Sequence, residues 1–231
     1  MVAAAHFPKR VLGIDAALAA CSAAVLVEGR VVARRFSGMA RGHAEALLPM
    51  IGATMDEAGL GFAALDLVAV TVGPGHFTGL RVGLAAAQGL ALSWERPLAG
   101  VTTLEAIAAA PEAQAAGAPL VVALETKRAD LYVQVFAGGR PRSQALALPP
   151  ERFAAGPWPD GALALAGDGA PRLAEALAAA GRRVQIIGPT LPDAATVAAI
   201  AAARHGKPEA LPADPFYLRP PDVTMPKERR R

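Results

Sequence analysis

A glycine-rich turn between an apolar strand and a helix is the first stretch of this sequence whose residue types suit chemistry. The turn reads Gly73-Pro74-Gly75-His76-Phe77-Thr78-Gly79. A helix that begins at such a turn directs free backbone amides and a partial positive charge forward, and this arrangement attracts anions. Gly75, His76 and Thr78 are therefore candidate contacts for an anion or a nucleotide.

The same turn lacks the residues of both common phosphate-binding motifs. A Walker-type loop requires a lysine and a hydroxyl after its last glycine, whereas Leu80 and Arg81 follow Gly79. A dinucleotide-binding turn requires a third glycine at the position of Thr78. The helix also has a face of small residues, namely Gly79, Gly83, Ala86 and Ala87. Close helix packing is thus the favoured interpretation, and weak anion binding is the alternative.

Histidine and cysteine offer little further chemistry. The four histidines, His6, His43, His76 and His205, are far apart, and none lies three or four residues from another. This spacing predicts no metal site. The single cysteine, Cys21, excludes an internal disulfide and fits a reducing compartment, so a cytoplasmic location is expected. No stretch reaches the ~18 uninterrupted apolar residues of a membrane span.

The charge of the chain is concentrated at its C-terminus. The formal net charge is +3, and residues 227–231 carry four basic groups and one acidic group. The remaining residues therefore balance, with 19 basic and 19 acidic side chains. A neutral body is not typical of a nucleic-acid clamp. The tail is expected to be a solvated terminus, and contact with a phosphate backbone is the alternative.

The hydrophobic pattern predicts alternating strands and helices. The predicted strands are 11–15, 23–28, 30–36, 65–72, 98–101, 120–124, 131–136 and 163–166, and the predicted helices are 43–58, 78–94, 104–110, 171–180 and 195–206. This order predicts an α/β fold with one helix-covered sheet in each half. We expect an N-terminal domain over 1–110 and a smaller C-terminal domain over 111–193. A helix at about 194–206 would pack back on the first domain, followed by a proline-rich, basic and partly disordered tail over 207–231.

Four segments resemble one known family. They read VLGIDAALAACSAAVL, HAEALLPMI, TVGPGHFTGLRVGLAAAQGLAL and GVTTLEAIA, in this order. Together they resemble the TsaB (YeaZ) proteins, subunits of the bacterial machinery that makes threonylcarbamoyladenosine beside the tRNA anticodon. The resemblance is dense over 11–109 and thinner beyond. It implies an actin-like ATPase (ASKHA) fold, in which two related domains each have a mixed β-sheet flanked by helices.

The resemblance also implies that catalytic residues are missing. The catalytic relative, TsaD, binds a metal ion through an H-x-x-x-H pair, and the corresponding positions here are Thr103 and Ile107. Actin-like ATPases follow a strand-end aspartate with hydroxyl residues that grip phosphate. Here Ala16 and Ala17 follow Asp15, so Asp15 is at most a residual nucleotide contact. No catalytic residue, metal or cofactor is expected.

By this resemblance the chain is a non-catalytic scaffold that activates a TsaD-type subunit by forming a heterodimer with it. A TsaE-type ATPase would join the larger complex, tRNA would be contacted indirectly, and the isolated chain would form a homodimer. The interface is expected on the helices 43–58 and 78–94. Its predicted residues are His43, Leu47, Leu48, Ile51, Met55, Phe77, Gly79, Leu80, Gly83 and Ala87.

Three other functions stay open at this point. The chain could be an actin-like phosphotransferase or a glycoprotease-like metallopeptidase, although the alanines after Asp15 and the missing histidine pair argue against them. It could also bind tRNA directly, with the basic tail assisting. The leucines and methionines of the predicted interface could also belong to the core.

Overall fold

The computed structural model describes residues 8–114, 118–157, 161–188 and 190–219. The first half contains β1 (Arg10–Asp15), β2 (Ala20–Val27), β3 (Arg30–Gly38), α1 (His43–Glu57), β4 (Leu67–Gly73), α2 (Phe77–Ser93), β5 (Leu98–Thr102), α3 (Thr103–Ala108) and α4 (Pro111–Gln114). The second half contains β6 (Leu120–Glu125), β7 (Leu131–Ala137), β8 (Arg140–Pro141), β9 (Leu146–Leu148), α5 (Pro150–Ala154), β10 (Leu163–Ala166), α6 (Ala170–Ala179), β11 (Val184–Ile186) and α7 (Ala194–Arg204).

The first sheet is mixed and has the strand order β3-β2-β1-β4-β5. β1, β2 and β3 form antiparallel pairs, and β4 and β5 extend the sheet in parallel with β1. Strands β1 and β4 are apolar and almost entirely buried, as expected for strands that are covered on both faces. Helices α1 and α2 cover one face through Leu47, Ile51 and Leu80, which belong to the same apolar cluster as the strand residues.

Helix α7 covers the other face of the first sheet. Its side chains Val197 and Ala198 pack with Val11 and Leu67 of the strands. The approach is close, because a Cβ atom at Gly13 would overlap the carbonyl oxygen of Ala194. The chain therefore forms the second sheet before α7 returns to pack on the first sheet.

The second sheet is also mixed, with the order β11-β10-β6-β7-β8 and with β9 paired to β7. Helix α3 lies on one face, where Leu104 and Ile107 pack with Phe136. Helices α5 and α6 lie on the other face, where Phe153 and Leu173 contribute to a separate apolar cluster. Two helix-flanked mixed sheets confirm the predicted α/β architecture.

All predicted strands and helices are present, and their ends differ from the prediction by at most three residues. Six short elements are additional among the described residues: a 3-10 helix at Phe62–Ala64, α4, β8, β9, α5 and β11. They have two to five residues each, too few to show a helical or strand periodicity in the sequence. Among the residues that the structure describes, no helix is long and apolar enough to cross a membrane.

Candidate functional site

Asp15 ends β1 and is completely buried. Its Oδ1 accepts hydrogen bonds from Thr71 Oγ1 at 2.7 Å and from the Ala17 amide at 3.2 Å. Its Oδ2 has no hydrogen-bond partner within the described part of the chain. Burial raises the pKa of Asp15 to about 7, the two hydrogen bonds oppose this shift, and the nearby Asp193 adds to it. In this arrangement of the chain Asp15 is a core residue, and a nucleotide contact at Asp15 stays a prediction from the sequence.

The backbone that follows Asp15 packs directly against the glycine turn. Ala16 and Ala17 are fully buried, and the His76 amide donates a hydrogen bond to the Ala17 carbonyl at 2.7 Å. A Cβ atom at Gly75 or Gly79 would overlap a carbonyl oxygen of these two alanines. The glycines thus allow two loops to pack in direct contact. The place where a phosphate would lie beside Asp15 is occupied by the chain itself.

A cleft of about 640 Å³ opens on the outer side of the glycine turn, between the two sheets. The starts of α1 and α2 and the turn after β6 form its walls. Its basic and acidic lining residues are Arg41, His43, His76 and Lys127 against Glu45 and Glu125. The Glu125 carboxylate already pairs with Arg172 at 2.8 Å. Burial lowers the pKa of His76, and the charges of Lys127 and His43 lower it further. A lowered pKa disfavours the charged form of His76, so Arg41 and Lys127 are the main cations of the cleft and face the carboxylates of Glu45 and Glu125.

The structure brings together three of the four predicted anion contacts. Gly75, His76 and Thr78 line the cleft with Lys127, whereas Asp15 lies outside it. Helices α1 and α2 both begin at the cleft, so their N-terminal amides lie beside it. The helices have 15 and 17 residues, and each therefore has a full partial positive charge at its N-terminus. This geometry can accept an anion.

Seven of the ten predicted interface residues lie in the protein's own core. They are Leu47, Ile51, Met55, Gly79, Leu80, Gly83 and Ala87. In this arrangement of the isolated chain these side chains pack inside the protein, and their contact with a partner stays a prediction from the sequence. The physical reason is that apolar residues recurring at helical spacing mark the face that packs on the sheet. The other three are accessible: Leu48 is 55% exposed, Phe77 is 50% exposed, and His43 is half-buried.

The outward face of α2 is uncharged beyond Arg81, whereas the outward face of α1 also carries the exposed acidic residues Glu45, Asp56 and Glu57. No charged residue occurs from Val82 to Trp94. Leu92, within this stretch, is nevertheless 81% exposed to solvent. We call the surface that the two helices share the α1/α2 face and define it by the exposed residues Leu48, Pro49, Phe77, Ala85, Gln88, Gly89 and Leu92. The sequence contains a signal for it, since the last 12 residues of α2, 82–93, are uncharged and include only Gln88 and Ser93 as polar side chains.

The positions related to the metal-binding histidines of the catalytic relative lie in the core. Thr103 and Ile107 are both fully buried, and Ile107 packs in an apolar cluster with Leu104. Within the described ranges, no three histidine, cysteine, aspartate or glutamate residues are grouped as metal ligands. The thiol of Cys21 is buried, and this burial raises its pKa to about 11. Such a thiol is not activated as a nucleophile.

Comparison with known proteins places these features in context. Residues 31–147 match the family model "TsaD: tRNA N6-adenosine threonylcarbamoyltransferase". The chain is 35% identical over 123 residues to the tRNA threonylcarbamoyladenosine biosynthesis protein TsaB of Escherichia coli, and the match covers 53% of each chain. The chain thus aligns with about half the length of that relative. It is also 35% identical over 215 residues to an uncharacterised protein of Mycobacterium tuberculosis, covering 92% and 93% of the two chains.

Solved structures show the same fold. YeaZ from Pseudomonas aeruginosa superposes with a TM-score of 0.80 at 30% identity, over 91% of this chain and all of the other. Component A of the (R)-2-hydroxyglutaryl-CoA dehydratase of Acidaminococcus fermentans superposes with a TM-score of 0.51 at 11% identity, over 86% and 99% of the chains, and shows the fold alone. The predicted actin-like ATPase fold is confirmed.

Proposed function

Because the chain belongs to the TsaB (YeaZ) family, we propose that it is a non-catalytic subunit of the machinery that makes threonylcarbamoyladenosine on tRNA. In this proposal it binds a TsaD-type catalytic subunit and holds that subunit in the conformation that transfers the threonylcarbamoyl group to the adenosine next to the anticodon. The chain contributes a binding surface, and the partner contributes the chemistry.

The observation that carries this proposal is the α1/α2 face. Leu48, Phe77 and Leu92 expose between half and four-fifths of their surface on two adjacent helices. Exposure of several large apolar side chains on adjacent helices is characteristic of protein interfaces. The small residues Ala85 and Gly89 between these side chains would let a partner helix approach closely. A TsaD-type subunit has the same fold by family, so a pairing of helix on helix is the expected geometry.

The closed surroundings of Asp15 support the non-catalytic part of the proposal. A phosphotransferase would need open space at the end of β1, where Ala16 and Ala17 are fully buried. A metallopeptidase would need metal ligands where Thr103 and Ile107 lie in the core. The lack of open space beside Asp15 thus argues against a phosphotransferase. The lack of metal-binding side chains at positions 103 and 107 argues against a metallopeptidase.

Further partners belong to the same proposal. A TsaE-type ATPase joins the pair, tRNA is contacted through the assembled complex, and the isolated chain covers its α1/α2 face by forming a homodimer. No cofactor is assigned, and the site of action is the cytoplasm. Gly75, His76 and Thr78 stay predicted contacts for an anion in the cleft.

The test is reconstitution of threonylcarbamoyladenosine formation on tRNA. The TsaD-type partner and its companion proteins are incubated with and without this chain, and the chain is also incubated alone with tRNA and substrates. We expect no product from the chain alone and a large increase in product when it joins the partner. Equal modification without the chain contradicts the proposal, and product from the chain alone contradicts its non-catalytic part.

A further inference from the structure

A segment near the described C-terminus, residues 211–219, runs from the first domain to the second. It begins beside β5, where the Gly100 amide donates a hydrogen bond to the Leu211 carbonyl at 2.9 Å. It continues past the end of β4, where the Phe216 amide donates to the Val72 carbonyl at 2.7 Å. The 211–219 segment is thus tied to the first sheet at two points through its backbone.

Two glycines of the first sheet make room for this segment. A Cβ atom at Gly73 would lie 2.8 Å from the Phe216 carbonyl oxygen, and one at Gly100 would overlap the Pro212 carbonyl oxygen. Gly73 also has a φ of 110°, a backbone conformation that side chains disfavour. The edge of the sheet is therefore shaped to receive the segment at close range.

Side chains of the segment reach the start of α2. The Tyr217 ring stacks on the Phe77 ring with centroids 6.0 Å apart, and the Arg81 guanidinium lies 3.8 Å from the centroid of the same Phe77 ring. The Arg81 Nε also donates a long hydrogen bond of 3.4 Å to the Tyr217 hydroxyl. Because Phe77 belongs to the α1/α2 face, the segment is in direct contact with the proposed partner surface.

The far end of the segment is attached to the second domain. Arg219 forms an ion pair with Oδ2 of Asp130, whose side chain is only 2% exposed. The other oxygen of Asp130 accepts a hydrogen bond from Thr126 Oγ1 at 3.1 Å. Removing one partner of a buried ion pair leaves the other charge buried without a counter-charge, which is strongly destabilising. Arg219 therefore anchors the segment to the turn between β6 and β7.

Between these anchors the segment covers a second cleft of about 620 Å³. Val72 and Thr102 line it from the first sheet, Gln134 from the second, and Pro215 and Leu218 from the segment above. The two domains thus meet across a partly open space, where they could change their relative angle if the segment were detached.

We propose that the 211–219 segment is a clasp that holds the two domains at one angle and, through Phe77, couples that angle to the partner surface. The coupling to the partner rests on the proposed function, whereas the clasp itself does not. By thermodynamic reciprocity, opening the clasp weakens partner binding, and partner binding protects the clasp from opening.

Amide hydrogen exchange of the full chain tests the clasp directly. The amides of Gly100 and Phe216 make the two backbone bonds between the segment and the first sheet. In Arg219→Ala we expect both amides to exchange at least about tenfold faster, since the segment opens locally while the sheets stay folded.

Two further variants serve as controls. Arg219→Lys keeps the positive charge, and its amides should exchange near the wild-type rates. Arg140→Ala, at an exposed arginine of β8, is the matched control and should change nothing. Wild-type rates in Arg219→Ala overturn the proposal, as does equal acceleration in Arg140→Ala.

A distance measurement covers the case in which Arg219→Ala is poorly folded. Spin labels on cysteines at the exposed positions Arg30, on β3 and outside the α1/α2 face, and Glu151 report the angle between the domains, and Cys21 is too buried to be labelled. Tyr217→Ala, which removes the ring stack on Phe77, should broaden the distance distribution of the wild type. A distribution that is equally narrow in Tyr217→Ala overturns the clasp.

Titration with a TsaD-type subunit separates the two proposals. We expect a severalfold weaker affinity in Arg219→Ala than in the wild type. If the wild-type chain does not bind the partner, the proposed function fails, and hydrogen exchange alone decides on the clasp. If both bind equally while the exchange of Arg219→Ala is accelerated, the coupling through Phe77 is wrong.

Discussion

At the scale of single residues, Asp15 shows how the fold has used a carboxyl group for packing. Its Oδ1 ties the Thr71 hydroxyl to the Ala17 amide, so the side chain organises the turn after β1. Its complete burial makes the ionised form unfavourable, which raises the pKa to about 7. A group that must hold a metal or a phosphate needs an open face, and Asp15 has none.

The shifted pKa of Asp15 predicts a dependence of stability on pH. The folded-state pKa of about 7 lies above the ordinary value of 3.8, so the folded chain binds the proton more tightly than the unfolded chain does. The contribution of Asp15 to the unfolding free energy is therefore constant below about pH 4, falls as the pH rises to about 7, and is constant above. Asp15→Asn should remove this fall, whose size is on the order of 4 kcal/mol at most.

Urea unfolding at pH 5, 6, 7 and 8 measures this effect. The stability of Asp15→Asn relative to the wild type should increase across the series, whatever the starting difference. Asp56→Asn, at an exposed position of α1, is the control and should follow the wild type at each pH. Curves of Asp15→Asn and wild type that run parallel would show that Asp15 is not the buried acid.

At the scale of elements, α1 and α2 each serve two surfaces. Their periodic apolar residues, such as Ile51 and Leu80, pack on the first sheet. Their outward residues, such as Leu48 and Leu92, contact solvent in the isolated chain. The amphipathic pattern of each helix identifies the first surface, whereas the second is identified by the exposure of large apolar side chains.

A charge placed on the α1/α2 face should abolish pairing and leave the fold intact. In Leu48→Asp and Leu92→Asp we expect at least a tenfold loss of affinity for a TsaD-type subunit, because the carboxylate loses its hydration in the interface. The isolated variants should also stay monomeric. Calorimetric titration and analytical ultracentrifugation measure the two effects.

The matched control is Leu146→Asp, since Leu146 is 42% exposed on β9 of the second sheet. It introduces the same charge in place of the same exposed side chain and should bind the partner normally. An equal loss in this control would point to a general effect of charge, and normal binding by both helix variants would remove the α1/α2 face from the interface.

At the scale of the whole molecule, the two sheets are joined by more than the chain connection between α4 and β6. Helix α7 returns to the first sheet, and the 211–219 segment then runs back to Asp130 in the second. The two halves are thus linked by several crossings. The basic residues 227–231 lie outside the described residues, and their role stays a prediction from the sequence.

Deleting the five residues 227–231 should weaken tRNA binding by the assembled complex and reduce its dependence on salt. Each phosphate contact made by a basic group contributes to the salt dependence of binding, so losing up to four contacts lowers the slope. Filter binding or fluorescence anisotropy over a range of salt concentrations measures it. A variant with glutamine at the four basic positions separates charge from length, and an unchanged slope in both would exclude the tail from tRNA contact.

The order of strands and helices could be predicted from the sequence because each long element has its own local periodicity. At the start of α3, for example, Thr102 and Glu105 are only three residues apart in sequence and form a capping box. The short elements between residues 141 and 162 were not predictable. β9 and α5 exist there because β7 and the neighbouring helix α6 offer partners, and such partners are distant in sequence.

The sequence by itself determined the α/β class, the family, the absence of histidines at Thr103 and Ile107, and the small-residue face of α2 at Gly79 and Gly83. These properties depend on residue identity and local spacing. Only the tertiary structure decided which apolar residues of α1 and α2 are core and which are exposed, and that Asp15 is sealed from the cleft. It alone also placed Arg219 against Asp130. Burial and long-range ion pairs depend on which segments meet in space, and a linear pattern does not specify that.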